Sequence, residues 1–81
     1  MEIYYSKQAF KSIKKIPEPY KRKIKSGIEN IPNGDIKLLI GFSNMYRLRV
    51  GNYRVLYQII PEGIYIADIL PRGSAYQNLQ N

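Results

Sequence analysis

The chain has 81 residues, enough for one small domain with a modest core, and carries 13 Lys plus Arg against 6 Asp plus Glu, a formal charge of +7. A surplus of that size attracts polyanions, nucleic acid foremost. Cysteine and histidine are both absent, which excludes disulfide staples, thiolate zinc sites, Ser-His-Asp triads and His-based acid–base catalysis.

Met1 to Tyr5 lacks the basic and apolar regions of a signal peptide. No apolar run approaches the length that crosses a bilayer, Leu38-Leu39-Ile40 being typical. The chain therefore reads as soluble, with no membrane partner, and the lack of cysteine fits a reducing cytoplasm. Nothing divides it: residues 1–81 form a single domain without repeats or low-complexity segments.

Glu2 to Tyr5 reads as a short opening strand. Ser6 is placed to cap a helix whose apolar stripe is Phe10, Ile13 and Ile16. Pro17-Glu18-Pro19 punctuates the turn into a second helix, with Tyr20, Ile24, Ile28 and Ile31 on one face. Gly27 weakens that helix unless close packing requires it, and Pro32-Asn33-Gly34 ends it. From Asp35 the alternation of Ile36, Leu38 and Ile40 fits either a strand or an extended lead-in.

Tyr46 to Ile59 is the most informative stretch. Apolar and cationic residues alternate at period 2, break at Gly51-Asn52 and resume, the pattern of a β-hairpin with a two-residue type II′ turn. Val50 paired with Tyr53 sets Arg49 opposite Arg54, Leu48 opposite Val55 and Arg47 opposite Leu56. One face then carries Tyr46, Leu48, Val50, Tyr53, Val55, Tyr57 and Ile59, a core face on which the tyrosines pack. The other gathers Arg47, Arg49 and Arg54. Like charges directly opposite each other destabilise a sheet, so folding alone gives no reason for the cluster, whereas binding an anion does. Pro61-Glu62-Gly63 turns into a last strand, Ile64 to Leu70. Pairing Ile60 with Ile64 puts Tyr65, Ala67 and Ile69 on the core face, and Ile66, Asp68 and Leu70 beside the arginines, with Asp68 near Arg54. The fold class is α+β: β-α-α-β-β-β, a helical hairpin packed on one face of a mainly antiparallel sheet.

The charges are also sorted by type. All eight lysines lie between Lys7 and Lys37, and four of the five arginines lie between Arg47 and Arg72. Lysines on helices are ordinarily a solvated face. Arginines on strands present a planar fork that suits phosphate oxygens.

A strand, a basic helical hairpin, the run Tyr46-Arg-Leu-Arg-Val-Gly-Asn-Tyr-Arg-Val-Leu-Tyr57 and a closing Pro71-Arg-Gly-Ser-Ala-Tyr76 resemble the RelE/ParE superfamily of toxins of bacterial type II toxin–antitoxin systems. The resemblance covers nearly the whole chain. RelE-like members enter the ribosomal A site and cut the messenger with cations on the sheet and a tyrosine near the C-terminus; ParE-like members inhibit DNA gyrase and generally lack that set. Arg47, Arg49, Arg54, Arg72 and Tyr76 match the RelE branch.

The resemblance thus implies a metal-independent, cofactor-free mRNA endoribonuclease (an mRNA interferase) in the cytoplasm. Its partners would be the ribosome with its rRNA, the messenger, and a cognate antitoxin through which alone it meets operator DNA. Arg47, Arg49 and Arg54 would clamp the scissile phosphate and Arg72 would neutralise or protonate the leaving oxygen. Tyr76 would stack on a base or orient the nucleophile. RelE proteins often have lysine at the positions of Arg47 and Arg49; arginine stays protonated, so neither is a good general base. The alternatives are a ParE-like gyrase inhibitor and an inactive corepressor that only binds antitoxin.

Overall fold

The computed structural model describes residues 2–42 and 44–71. In chain order they form β1 (Glu2–Tyr5), α1 (Lys7–Lys15), α2 (Tyr20–Glu29), β2 (Asp35–Leu38), β3 (Met45–Val50), β4 (Tyr53–Ile60) and β5 (Gly63–Pro71). Asp35–Leu38 is thus a full strand, one more than β-α-α-β-β-β contains. The sheet order is β1-β5-β4-β3-β2. All neighbours are antiparallel except β1, which runs parallel to β5. The helical hairpin covers one face, α1 chiefly over β5 and α2 over β3.

Ser6 joins strand, helix and sheet. Its Oγ accepts the Ala9 N–H at 2.9 Å, capping α1, and donates to the Ala67 carbonyl at 2.6 Å. Its own N–H donates to the Ile66 carbonyl at 2.9 Å. One serine therefore fixes where β1 ends and where α1 starts over β5.

The stripe that α1 buries is Ala9, Ile13 and Ile16, spaced i, i+4, i+7. Phe10, expected in that stripe, is 54% exposed, and the Lys14 ammonium lies 4.9 Å from its ring centroid. The helix turns by about 100° per residue, so choosing Ala9 for the core rotates Phe10 out. On α2, Ile24 and Ile28 are buried and Ile31 follows just beyond it. Tyr20 stays half-exposed against the Tyr53 ring, 6.2 Å between centroids. A methyl on Gly27 would lie 2.9 Å from Cγ2 of Val50, so this glycine lets α2 approach β3 closely.

The hairpin has the expected register: Val50 opposite Tyr53, Arg49 opposite Arg54, Leu48 opposite Val55, Arg47 opposite Leu56. Gly51 has φ +58° while Asn52 is not among the residues with positive φ, the combination that a type II′ turn requires. Tyr46 and Tyr57 stack on the core side, 5.4 Å apart. Burial, with a smaller contribution from Tyr46, pushes the Tyr57 phenol above its ordinary pKa.

β5 departs from the expected register twice. Ile60 pairs with Gly63, not Ile64, because the turn consists of Pro61 and Glu62 alone. Ile64 and Ile66 therefore enter the core, and Tyr65 lies opposite Gln58 on the other face. A bulge then inserts Ala67, since Tyr57 pairs with Ile66 and Leu56 with Asp68. The extra residue restores Ile69 to the core.

Candidate nucleic-acid interface

The sheet face turned away from the helices is built by strand alternation. Arg47 and Arg49 on β3 and Arg54 on β4 share it because they are two residues apart or cross-strand neighbours. β2 adds a contribution that the sequence reading did not assign to the site. Its register sets Asp35 opposite Arg49 and Lys37 opposite Arg47, and Leu39 N–H donates to the Met45 carbonyl at 2.9 Å to close the β2–β3 connection. The signal for Lys37 was the alternation Ile36, Leu38, Ile40, which puts residues 35 and 37 together on the opposite face.

Lys37, Leu39, Arg47, Arg49 and Arg54 line an open depression of about 350 Å³. The arginines differ in setting. Arg47 is 7% exposed and Arg54 9% exposed, whereas the Arg49 side chain is about half exposed. Asp35 reaches two of them: Oδ1 lies 3.4 Å from Nη2 of Arg47 and Oδ2 lies 3.7 Å from Nε of Arg49. The cluster therefore has a local counterion, correcting the expectation that folding gives no reason for it. The compensation is partial, because one carboxylate contacts two of the four cations that line the depression. Arg54 has no acid partner among the described residues; its Nη1 donates to the Tyr53 carbonyl at 3.4 Å. A mostly buried guanidinium without a carboxylate has strong unused capacity for an anion.

Asp68, expected beside Arg54, is turned away. Its Oδ1 accepts from Ser12 Oγ of α1 at 3.0 Å and from the Ile69 N–H at 2.7 Å. The bulge at Ala67 redirects this carboxylate, fastening β5 to α1 instead of neutralising an arginine. Arg72 and Tyr76 lie outside the described residues. The structure thus brings Arg47, Arg49 and Arg54 together and adds Lys37 and Asp35. A separate groove of about 320 Å³, lined by Ile3, Tyr5, Phe10, Ile13, Lys25 and Glu29, is mainly apolar and has no comparable charge cluster. No helix among the described residues is long and apolar enough to cross a membrane.

Such a face can grip oxyanions along a strand of phosphates. Its arginines supply fixed positive charge in a planar fork that matches phosphate oxygens.

Comparison with known proteins places the chain by family and fold. Residues 3–76 match the family described as the ParE toxin of type II toxin–antitoxin systems, parDE. Toxin RelE3 of Methanocaldococcus jannaschii is 33% identical over 84 aligned positions, spanning 94% of this chain and 96% of that protein. Among solved structures, the RelB–RelE antitoxin–toxin complex from Methanococcus jannaschii superposes with a TM-score of 0.78 at 31% identity, covering 93% of this chain and 96% of the other. The archaeal RelE–RelB complex from Pyrococcus horikoshii OT3 gives a TM-score of 0.72 at 26% identity, covering 91% and 97%. These relatives are archaeal, whereas the resemblance in the sequence implied a bacterial setting. The chain belongs to the RelE/ParE superfamily of toxins of type II toxin–antitoxin systems.

Proposed function

We propose that this toxin is a ribosome-dependent mRNA endoribonuclease of the RelE type. The observation that carries the reading is Arg54, 9% exposed and without an acid partner among the described residues, in one depression with Lys37, Arg47 and Arg49. Guanidinium groups aimed at a phosphate stabilise the extra negative charge that develops as it is attacked, often the largest catalytic contribution. In the proposed step the ribose 2′-oxygen attacks the adjacent phosphorus and the bond to the 5′-oxygen breaks. The products are a 2′,3′-cyclic phosphate and a 5′-hydroxyl, with the 2′-proton passing to a base and a proton reaching the leaving oxygen. Arg47, Arg49 and Arg54 hold the phosphate; Arg72 serves the leaving group; Tyr76 stacks on a base or orients the nucleophile. No metal or cofactor takes part.

So open a site does little to orient a free strand, so the ribosomal A site supplies the orientation and naked RNA is cut poorly. The helical lysines give an electrostatic footing on rRNA. A cognate antitoxin silences the toxin by covering or displacing the cationic face, as befits a chain whose structural relatives were solved as antitoxin–toxin complexes. Operator DNA is met only through that complex. This target places the protein in the cytoplasm.

Expressed without antitoxin, the wild-type chain should arrest growth and Arg54→Ala should not, with both folded by circular dichroism. A fully toxic Arg54→Ala variant counts against the proposal.

A second reading has the ParE description of the matched family in its favour. There the helical hairpin and the C-terminal tail would contact gyrase, and the arginine cluster would have no part. Loss of supercoiling and DNA damage after induction, with translation continuing, would select it. A chain that causes no arrest at all would be an antitoxin-binding corepressor.

A further inference from the structure

The contacts of Asp35 are poor ones for a carboxylate whose purpose is to hold two arginines. At 3.4 and 3.7 Å they lie at or beyond hydrogen-bond reach, and they go to two different guanidinium groups instead of forming one bidentate pair. The Asp35 side chain is 57% exposed, and its pair with the half-exposed Arg49 is of the solvent-exposed kind that adds little stability. Yet the carboxylate sits on the groups that an incoming phosphate would use. Lys37, two residues along β2 and opposite Arg47, has a side-chain ammonium without a hydrogen-bond or ion-pair partner among the described residues, and it lines the same depression. The short outer strand β2 thus presents one residue that competes with a phosphate and one that attracts it.

We infer that Asp35 is a specificity-determining residue and Lys37 a fourth phosphate-binding cation. Asp35 acts as a surrogate anion for Arg47 and Arg49, displaced only when an RNA phosphate is delivered in register. The inference rests on the reading of this face as an RNA site. Its consequence is selectivity: generic polyanions meet a carboxylate at the mouth of the depression and bind weakly, and a strand oriented by the ribosome overcomes it. The negative charge costs affinity for free RNA and protects the toxin from capture by bulk nucleic acid.

The test measures binding of the full chain to a single-stranded RNA oligonucleotide 2′-O-methylated throughout, which has no 2′-hydroxyl and cannot be cut. Fluorescence anisotropy over a range of NaCl concentrations gives affinity and salt slope. Asp35→Asn should bind about three- to tenfold more tightly at low salt, because Arg47 and Arg49 no longer exchange a carboxylate for the phosphate, a Coulomb difference of the size expected for partly solvated contacts. The gain should vanish when Arg47→Gln and Arg49→Gln are also present. Lys37→Gln should bind more weakly and lower the slope of log K against log salt by about 0.7, one phosphate contact on a single strand. Arg54→Ala is the control for the underlying reading. If it does not weaken binding, the RNA site itself is wrong. If it does, but Asp35→Asn binds no more tightly, the Asp35 inference alone is overturned. A gain that survives the double arginine substitution overturns it too, by showing a general field and not a contact. An unchanged salt slope in Lys37→Gln removes the fourth cation. Should Asp35→Asn unfold, Asp35→Ser serves in its place.

Discussion

Arg54 shows at the scale of one residue how function and stability pull apart. It is largely buried, it has only the Tyr53 carbonyl for a partner among the described residues, and it stands opposite Arg49. Removing a charge from water without pairing it is unfavourable, and apolar replacements of similar volume are often neutral or stabilising. Arg54→Met should therefore leave the urea midpoint unchanged or raise it, while abolishing growth arrest. A large drop in the midpoint would mean that the guanidinium holds the fold, not the substrate. Asp68 is the converse case, a carboxylate committed to structure. Ser12→Ala takes one donor from it, and loss of a partly buried hydrogen bond should cost about 1 kcal/mol, measurable by urea unfolding.

Among elements, the register of the β3–β4 hairpin was legible because apolar and cationic residues alternate and Gly51-Asn52 fixed the turn, although Ile59, expected on the core face, is exposed near the end of β4. β5 was not, and the cause is specific. The turn after Ile60 is one residue shorter than assumed, and Ala67 is inserted as a bulge, so the facing of every residue from Ile64 to Asp68 depends on pairing rather than local pattern. Phe10 misled for a related reason: a large aromatic next to Ala9 looks like the core residue, but the phase shared with Ile13 and Ile16 belongs to Ala9. Gly27 reads as a weak point in α2, yet the approach to β3 depends on it. Alanine there gains about 1 kcal/mol of helix propensity but forces a methyl against Val50, an overpacking cost of about 1–3 kcal/mol. Gly27→Ala should lower the Tm by about 4–8 °C if the net cost is near 1 kcal/mol; a rise in Tm would show that the interface yields. Gly63 is stricter, since at φ +149° a methyl would run into the Glu2 carbonyl. Gly63→Ala should release β1, seen as faster amide exchange across residues 2–5.

For the whole molecule, the arrangement separates two jobs between the faces of one sheet. The helix side holds a continuous core from Ala9 to Ile69, and the other side carries the charge. Three of the five charged residues of the site could be read directly, because Arg47, Arg49 and Arg54 lie on the hairpin. Asp35 and Lys37 join it only through the β2–β3 register, which four residues of weak alternation did not determine. The core makes a pH prediction of its own. Burial, and after it Glu29, raises the pKa of Tyr5, and burial followed by Tyr46 raises that of Tyr57, both from an ordinary 10.0. The unfolded chain therefore gives up these protons first. The stabilisation is complete below pH about 10 and is lost as pH rises through the folded values. The urea midpoint should fall above that pH, and Tyr57→Phe should flatten the fall; an unchanged alkaline slope in that variant would contradict the assignment to Tyr57.

The proposed function requires that the cationic face cut messenger on the ribosome. The direct measurement is to express the chain without antitoxin and map messenger 5′ ends shortly after induction, beside Arg54→Ala. New 5′-hydroxyl ends at fixed codon positions within translated frames, absent from the variant, are the predicted result. Growth arrest with intact messengers would contradict it.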